Sequence, residues 1–393
     1  MLFYDDGEGS DAVQSSDNGT TLGNRITIAG SADLPSSSFK AGFEVILEPL
    51  SVSTPLIFSN QDTYGDTNGS AIGVLGNSAY FGGPFGKITL GLQSMPTDNI
   101  AVLADPSLTL WSAISPVFRG NGFTIRGTTG GEPVVWGDFL GCYTAEGLSG
   151  IGGIGIDCNG IYRNGVRYDL PALGPVSVAI GYANDDVYDI AAKYSGQINE
   201  RIKAVVHVGY AINKGGVNRI EAAGTFEDDA TTGDIDESMQ TGGYSYDEAS
   251  NFQAQFGLMD SETGLFGTFA FQKEDVDGVV AGTHARGGLD QDDTTAWWFK
   301  GGIKRAFSAF GDTAITFQYG QYHDQYAARL SGNDITGSQL DRIGFSVDQY
   351  FGSKMIIYAA YENLDIDVDG PGAAYFANAD SLDILSLGFT YFF

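Results

Sequence analysis

The chain has 393 residues and a formal net charge of −29, which comes from 49 acidic and 20 basic side chains. This acidic balance argues against a nucleic acid as partner, because binding to phosphates requires a basic surface. No stretch approaches the roughly 18 apolar residues that a membrane-spanning helix needs, whereas 56 glycines and 12% aromatic residues are typical of many strands and turns.

Apolar and polar residues alternate along most of the chain, and a period of two predicts β-strands, about sixteen of them in all. The predicted strands are 1–6, 24–29, 39–47, 71–82, 85–92, 162–170, 174–183, 187–196, 200–211, 250–260, 263–274, 294–305, 310–322, 339–350, 354–363 and 381–393. Residues 1–6 have the pattern of a strand end and lack the basic start and apolar core of a signal peptide. We therefore expect a processed or trimmed chain whose first strand is truncated.

The connections between these strands alternate between short and long. Tight connections join the strand ends 82/85, 170/174, 196/200, 260/263, 305/310 and 350/354. Long connections cover 7–21, 49–70, 93–160, 212–249, 275–293, 323–338 and 364–380, and the short segment 184–186 is the exception. Short turns at one end and long loops at the other are the pattern of an outer-membrane barrel, whereas a soluble sandwich has no reason to sort its loops by length.

The last predicted strand shows which face would contact lipid. Its strongly apolar face consists of Leu385, Leu387, Phe389, Tyr391 and Phe393. On strand 39–47 the opposite face carries Lys40 and Glu44, a charged pair that is costly in a dry core but normal beside water. The sequence therefore predicts an all-β, transmembrane antiparallel barrel with an aqueous interior, closed by the C-terminal strand against residues 1–6.

Two cysteines, Cys142 and Cys158, lie close together in the Gly-rich segment 93–160. Their even number and the expected site outside the cytoplasm favour a disulfide, with two free thiols as the alternative. The three histidines are scattered, and none lies near a Gly-x-Ser-x-Gly sequence that would indicate a hydrolase. We therefore expect no enzymatic activity.

Several strings of residues, in their order and spacing, resemble the trimeric general porins of Gram-negative bacteria, in the alphaproteobacterial branch. They are Leu2–Gly7, Phe85–Gly91, Trp136–Leu140, Asn164–Pro171 and the aromatic C-terminus Phe393. The resemblance covers the whole chain, 1–393, as one barrel domain. It implies sixteen strands, a homotrimer in the outer membrane, and a third loop, here 93–160, that folds into the pore as a constriction.

The resemblance also implies a basic pore wall opposite acidic groups of the third loop. Arg25, Arg163 and Arg167 match basic positions of the family, and strand alternation adds two lysines to the same wall. The predicted wall is Arg25, Lys40, Lys87, Arg163 and Arg167, and the candidate loop acids are Asp98, Asp105, Glu132, Asp138, Glu146 and Asp157. Asn77 and Leu92 stand where relatives often have arginine, which predicts a thinner basic wall.

These features predict a water-filled channel for passive diffusion of small hydrophilic solutes and ions, with cation preference because of the acidic total. The alternatives are a substrate-specific channel of the same fold and a secreted β-rich surface protein. No resident cofactor is expected, although acidic external loops could hold Ca²⁺ or Mg²⁺ and bridge to lipopolysaccharide phosphates. The candidate ion sites are Asp185, Asp186 and Asp189, or Asp229, Asp234 and Asp236.

Overall fold

A computed structural model describes most of the chain. The described residues are 2–5, 10–13, 25–51, 70–115, 119–120, 123–128, 134–142, 155–158, 162–184, 186–214, 217–218, 244–245, 248–277, 293–326 and 335–392. Most of them form strands, which confirms the all-β prediction. Within these ranges, no helix has both the length and the apolar character needed to cross a membrane.

The described strands number nineteen, and twelve of them have nine or more residues, which is about the length that a tilted strand needs to cross a bilayer. In chain order they are β1 (Leu2–Asp5), β2 (Ser10–Val13), β3 (Ile26–Asp33), β4 (Lys40–Ser51), β5 (Ser70–Gly83), β6 (Gly86–Ser94), β7 (Tyr162–Asp169), β8 (Val176–Ala183), β9 (Val187–Gln197), β10 (Ile202–Asn213), β11 (Val217–Asn218), β12 (Tyr244–Ser245), β13 (Glu248–Asp260), β14 (Leu265–Asp277), β15 (Asp293–Ser308), β16 (Gly311–His323), β17 (Gly337–Phe351), β18 (Met355–Asp369) and β19 (Leu382–Tyr391). The helical elements are α1 (Ile100–Leu103) and the 3-10 helices Trp136–Leu140 and Pro371–Phe376.

Seventeen of these strands form one antiparallel sheet, and β11 with β12 forms a separate two-stranded sheet. Strands that follow each other in sequence pair along this sheet from β3 to β19, with β10 next to β13. The C-terminal strand then pairs with the N-terminal one, so that Leu2 lies opposite Ser386 and Asp5 lies opposite Asp383. This pairing of β19 with β1 confirms the predicted role of the last strand in an antiparallel barrel.

The sixteen predicted strands are all present, and the differences lie at their ends. The short strand β2 pairs with β1 inside a segment that was predicted as loop. Strand β18 continues to Asp369, past the predicted end at residue 363, because its alternation persists through Ile366 and Val368. The long connection that follows is correspondingly shorter and contains the 3-10 helix Pro371–Phe376.

Side chains on the two faces of the barrel are sorted in the opposite way from those of a soluble protein. Outward-facing Phe256, Phe345 and Phe389 are 47%, 52% and 75% exposed. Inward-facing polar side chains such as Gln253 and Gln272 are buried. An apolar outer band around a polar interior is the arrangement expected of a barrel in lipid.

The largest apolar cluster lies inside the barrel, near the end that carries the long loops. It packs Phe123, Trp136 and Phe139 from the long segment after β6 against Tyr326 and Phe376 from later connections. The ring centroids of Phe139 and Tyr326 are 5.1 Å apart. The described residues between β6 and β7 that belong to this cluster therefore lie inside the barrel, as predicted for the third loop.

Candidate pore and constriction

After β6 the chain enters the barrel and follows the inner wall; we call the described residues between 95 and 128 the inward loop. The backbone N–H and the hydroxyl of Thr97 both donate to the Asp189 carboxylate on β9, at 2.8 Å. The Ala104 N–H donates to Gln255 on β13 at 2.7 Å. The loop thus meets the strands in the order in which they stand around the wall.

Two carboxylates continue this attachment further round the barrel. Lys300 on β15 lies 2.7 Å from the Asp105 carboxylate of the loop, and the side chains are only 1% and 2% exposed. The Ser112 hydroxyl donates to Asp348 on β17 at 2.7 Å. Burial alone would raise the pKa of Asp105, but the Lys300 ammonium outweighs burial and holds this pKa below its ordinary value.

The last contact between the inward loop and the wall is a buried cluster in which one carboxylate pairs with two guanidinium groups. Arg119 of the inward loop and Arg342 on β17 both donate to Glu362 on β18, at 3.1 Å and 3.0 Å. Burial would lower the pKa of Arg119, but the Glu362 carboxylate reverses this effect and raises it. Such groups are stable without water only because each charge is paired and hydrogen-bonded.

Glycines on the inward face let the loop lie close to the strands. A Cβ atom at Gly209 on β10 would be 2.9 Å from a side-chain carbon of Ile100. A Cβ atom at Gly257 on β13 would be 2.6 Å from the Ala104 carbonyl oxygen and would also strike Pro106. Any larger residue at these positions would push the loop toward the centre of the barrel.

A disulfide and a second set of hydrogen bonds fix the end of the segment. Cys142 and Cys158 form the predicted disulfide, with their Cα atoms 5.4 Å apart. Gln325, just after β16, donates to the Gly155 carbonyl at 2.6 Å, and its own carbonyl accepts from the Gly141 N–H at 2.8 Å. The two cysteines are therefore held against the wall near β16.

The opposite side of the lumen carries charges that the loop does not cover. Lys87 on β6 is 47% exposed and lies 3.4 Å from the Asp169 carboxylate on β7. Arg167 lies 2.7 Å from the same carboxylate and donates to the Ser94 carbonyl at 3.0 Å. Lys87 also lies 5.7 Å from the centre of the Tyr80 ring. These groups form a charged surface in contact with solvent.

A cavity of about 410 Å³ opens against this surface. Its polar lining includes Glu44, Ser78, Tyr80, Lys87, Thr89 and Arg167. We call the inward-facing side chains of β3–β7 the open wall, and those of β13–β18 that lie under the inward loop the covered wall. The open wall thus presents fixed charges of both signs, Glu44 with Lys87 and Arg167, to this cavity.

The structure places all five predicted basic residues on the side of the lumen that carries the open wall, and four of them contact solvent. Lys87 and Arg167 line the cavity. Lys40 is exposed and lies directly opposite Asp33 in the register of β3 and β4, while Arg25 is exposed just before β3. Arg163 faces inward opposite Gln93 but is buried, with 7% of its surface exposed.

The predicted loop acids are placed differently from the expectation. Asp105 is paired with the covered wall and does not face the open one. Asp98 and Asp157 are also buried, and Asp138 accepts the Val135 N–H within its own 3-10 turn at 2.7 Å. Glu132 and Glu146 lie outside the described residues. Of the four described candidate acids, Asp105 has a lysine of the covered wall as its partner, whereas Asp138 is bound within its own turn.

Asp98 lies close enough to two of the predicted bases, Arg25 and Arg167, for their charges to act on it. It accepts a hydrogen bond from the Ser94 hydroxyl at 2.6 Å. Burial raises the pKa of Asp98 to about 6, although Ser94 and the positive charges of Lys193, Arg25 and Arg167 partly oppose this effect. Burial likewise raises the pKa of Asp138 to about 7.

The two positions where relatives often have arginine, Asn77 and Leu92, do not face the pore. Asn77 on β5 and Leu92 on β6 are direct partners in the sheet, and they lie on the outward face beside Ala79 and Leu90. These two positions therefore give no reason to expect a thinner basic wall. The alternation of β5 places Ser78 and Tyr80 on the inner face instead.

The first candidate ion site is only partly described, because Asp185 lies outside the described residues. Asp186 is exposed and accepts a hydrogen bond from the Tyr182 hydroxyl at 3.3 Å, whereas Asp189 holds the inward loop. The residues of the second candidate ion site, Asp229, Asp234 and Asp236, also lie outside the described residues. In the part of the chain that the structure describes, no group of three or more His, Cys, Asp or Glu side chains could hold a metal ion.

Sequence reasoning missed the charged residues of the covered wall. They are Lys300, Lys304, Arg342, Asp348 and Glu362, and Lys193 on β9 was missed as well. Each stands on the polar face of an alternating strand, so the period of two could have identified it as inward-facing. The sequence had no signal that the loop would cover this side of the barrel.

Comparison with known proteins places this geometry among known channels. A model of the Gram-negative porin family matches residues 2–369. The anion-selective porin from Comamonas acidovorans has a similar fold, with a TM-score of 0.53 at 15% identity over 100% of this chain and 96% of that chain. OmpT, an outer membrane protein of Vibrio cholerae, gives a TM-score of 0.51 at 12% identity over 100% and 94% of the two chains. A search of curated proteins gave no match.

Proposed function

The chain belongs to the Gram-negative porin family and is a channel protein of the bacterial outer membrane, and we propose that it conducts small hydrophilic solutes and ions by passive diffusion between the two walls of its lumen. The observation that carries this proposal is the contrast between the walls. The inward loop covers one side, while Lys87, Arg167 and Glu44 remain beside an open cavity on the other. A polar passage with fixed charges suits ions and hydrated solutes.

We further propose a cation preference that depends on salt. The net charge of −29 favours cations. Locally the open wall opposes this preference, since its bases Arg25, Lys40, Lys87 and Arg167 outnumber the acids Asp33, Glu44 and Asp169. Exposed charges more than about 10 Å apart are screened at 0.1 M salt. The cation preference should therefore be largest in dilute salt and decline as salt rises.

Three partners belong to the same proposal. A homotrimer is the expected assembly, surrounded by outer-membrane lipid and lipopolysaccharide. Carboxylates of the acidic external loops would bind Ca²⁺ or Mg²⁺ and bridge to lipopolysaccharide phosphates. Titration of detergent-solubilised protein with Ca²⁺ tests the ion site, and chemical cross-linking tests the trimer.

Planar-bilayer conductance under a salt gradient tests the function. We expect discrete conductance steps, closure in three sub-steps, and a reversal potential that favours cations in dilute salt. Absence of any steps from heat-modifiable, correctly folded protein would refute the channel. A reversal potential favouring anions at every salt concentration would refute only the cation preference.

A second candidate, a substrate-specific channel of the same fold, is favoured by one observation. A pocket with an apolar lining lies inside the barrel at the end that carries the short turns. General diffusion does not require such a pocket, because a hydrated ion or polar solute gains no favourable interaction from apolar surface.

A further inference from the structure

A pocket of about 620 Å³ lies where the inward loop reaches the end of the barrel with the short turns. The loop contributes Leu108, Leu110 and Trp111. Strands β15–β18 contribute their ends, and Tyr350 attaches the loop there by donating from its hydroxyl to the Leu108 carbonyl at 2.9 Å. Porin-type barrels place their short turns on the periplasmic side. The pocket therefore belongs to the periplasmic mouth of the lumen.

Aromatic and aliphatic side chains form most of this pocket. The Trp111 and Phe392 rings lie 6.1 Å apart at an angle of 52°. Tyr350 and Ile356 form the buried floor, against which Trp111 packs. Leu108 is 57% exposed although it lies inside the barrel. Apolar surface that stays in contact with water in an otherwise polar lumen indicates a site for an apolar group of a ligand.

Two groups of opposite charge complete the lining. Lys304 on β15 lies 3.6 Å from the centre of the Tyr350 ring and donates to the Ser107 carbonyl at 2.9 Å. These contacts fix the ammonium in place and leave it with further donor capacity. Asp312, at the start of β16, is exposed to solvent on the same pocket. A ligand with a carboxylate and an ammonium on a short stem would complement both groups.

We propose that this pocket binds a small aromatic zwitterion, with the chemistry of a free aromatic amino acid. The ring packs between Trp111 and the Tyr350–Ile356 floor, the carboxylate meets Lys304, and the ammonium meets Asp312. The pocket volume falls in the range of roughly 300–1,000 Å³ that is usual for small-molecule sites. An aromatic cation would satisfy Asp312 but face Lys304 unfavourably, and an aromatic anion would have the reverse conflict.

The proposal deepens the substrate-specific alternative and relies on the proposed channel for delivery of the ligand, but binding itself requires no conduction. The first experiment therefore uses the folded chain in detergent. Tryptophan fluorescence, excited at the red edge where phenylalanine does not absorb, is titrated with L-phenylalanine. We expect a saturable change in the millimolar range, and loss of this change in Trp111→Phe, which retains an aromatic face but not the reporter.

Variants and comparator probes separate this site from nonspecific adsorption. Asp312→Asn should weaken L-phenylalanine binding about fivefold, because a charge-assisted hydrogen bond at an exposed carboxylate is lost. Glu200→Gln, at another exposed short turn, is the matched control and should change nothing. Phenethylamine and 3-phenylpropionate should each bind more weakly than L-phenylalanine, and L-alanine should not bind.

A second variant guards against misfolding at the strand start. Leu108→Ser changes an exposed loop side chain and should weaken binding of L-phenylalanine. The temperature at which the folded barrel changes its mobility in a gel should stay at the wild-type value. Equal affinity of wild type, Asp312→Asn and Leu108→Ser for L-phenylalanine would overturn the proposal, as would equal responses to L-phenylalanine and L-alanine. Tighter binding of either singly charged probe would overturn its zwitterionic part.

Conductance then places the site within the channel. L-phenylalanine added on the periplasmic side should produce transient current reductions that Asp312→Asn shortens about fivefold. Binding in detergent together with a chain that never conducts would refute the channel and leave the pocket intact. Normal conductance without binding would refute the pocket alone.

Discussion

The open and covered walls are built from the same kind of strand, yet their charges have opposite surroundings. Lys87 on the open wall is 47% exposed, whereas Lys300 on the covered wall is 1% exposed. Both face inward and both lie beside a carboxylate. The difference arises only because the inward loop lies over β13–β18 and leaves β3–β7 free. Inward orientation therefore does not by itself make a charged residue part of the pore.

Because the two walls differ in burial, their charges should affect different properties: the stability of the fold on one wall and the ion selectivity on the other. Exposed ion pairs contribute about 0–1 kcal/mol because water screens them. A buried pair cannot lose one partner without leaving an uncompensated charge, which costs about 3–5 kcal/mol. Charges on the covered wall should thus determine whether the loop stays in place, and charges on the open wall should determine which ions pass.

The largest expected effect is at the carboxylate that two arginines share. Glu362→Gln should lower the free energy of unfolding by about 3–5 kcal/mol, because Arg119 and Arg342 then lose their buried counter-charge. The heat-modification temperature in detergent measures this. The matched change on the open wall, Glu44→Gln, should cost less than about 1 kcal/mol. Equal effects of the two substitutions would erase the distinction between the walls.

Removal of the disulfide should have the next largest effect. The bond between Cys142 and Cys158 closes a loop with a sequence separation of 16, and a loop of this size contributes about 3 kcal/mol. The double variant Cys142→Ser, Cys158→Ser should unfold at lower denaturant concentration. Reduced wild type serves as control and should match the double variant. A stability unchanged in both would show that the packing around Trp136 holds the segment alone.

A larger side chain beneath the inward loop should have an intermediate effect on stability. Gly257→Ala places a methyl group against Ala104 and Pro106, and overpacking of this kind costs about 1–3 kcal/mol. The displaced loop should lower single-channel conductance. Gly267→Ala is the control, since a Cβ atom there has no neighbour closer than 3.8 Å. Unaltered conductance in Gly257→Ala would mean that the loop adjusts without moving into the lumen.

Neutralising the open wall should change selectivity with little loss of stability. The double variant Lys87→Gln, Arg167→Gln should raise the ratio of cation to anion permeability and change the unfolding free energy by less than about 1 kcal/mol. Reversal potentials in a salt gradient measure the ratio. Lys300→Gln is the comparison: it should destabilise the fold and alter the ratio less. A larger selectivity change in Lys300→Gln would place the covered wall in the ion path.

The smallest effect concerns pH. Burial raises the pKa of Asp98 to about 6, so the folded chain binds a proton there more tightly than the unfolded chain. The resulting stability is present at low pH and is lost as pH rises through 6. Relative to Asp98→Asn, wild type should lose on the order of 1 kcal/mol of unfolding free energy between about pH 4.5 and 7.5. A constant difference between the two proteins would contradict this.

Prediction from sequence succeeded for strands and failed for partners. Alternation located each strand, and it placed Lys40, Lys87 and Arg167 on the inner face as the structure does. Asp105 was one of six candidate pore acids, and the structure pairs it with Lys300, which is 195 residues away in sequence. No local pattern connects two such positions. Asp98 and Asp138 accept hydrogen bonds from near neighbours in sequence, Ser94 and the Val135 N–H, but their burial depends on how the loop packs inside the barrel.

The sequence by itself determined the fold class, the sorting of short turns from long loops, and the pairing of β19 with residues 1–6. The fold class follows from the period of two and the sorting from the lengths of successive connections. The pairing of β19 with residues 1–6 follows because a barrel in lipid leaves no strand edge unpaired. Only the tertiary structure decided which inward charges contact water. That outcome depends on where one long loop docks, and docking is set by ion pairs and by glycine gaps between residues far apart in sequence.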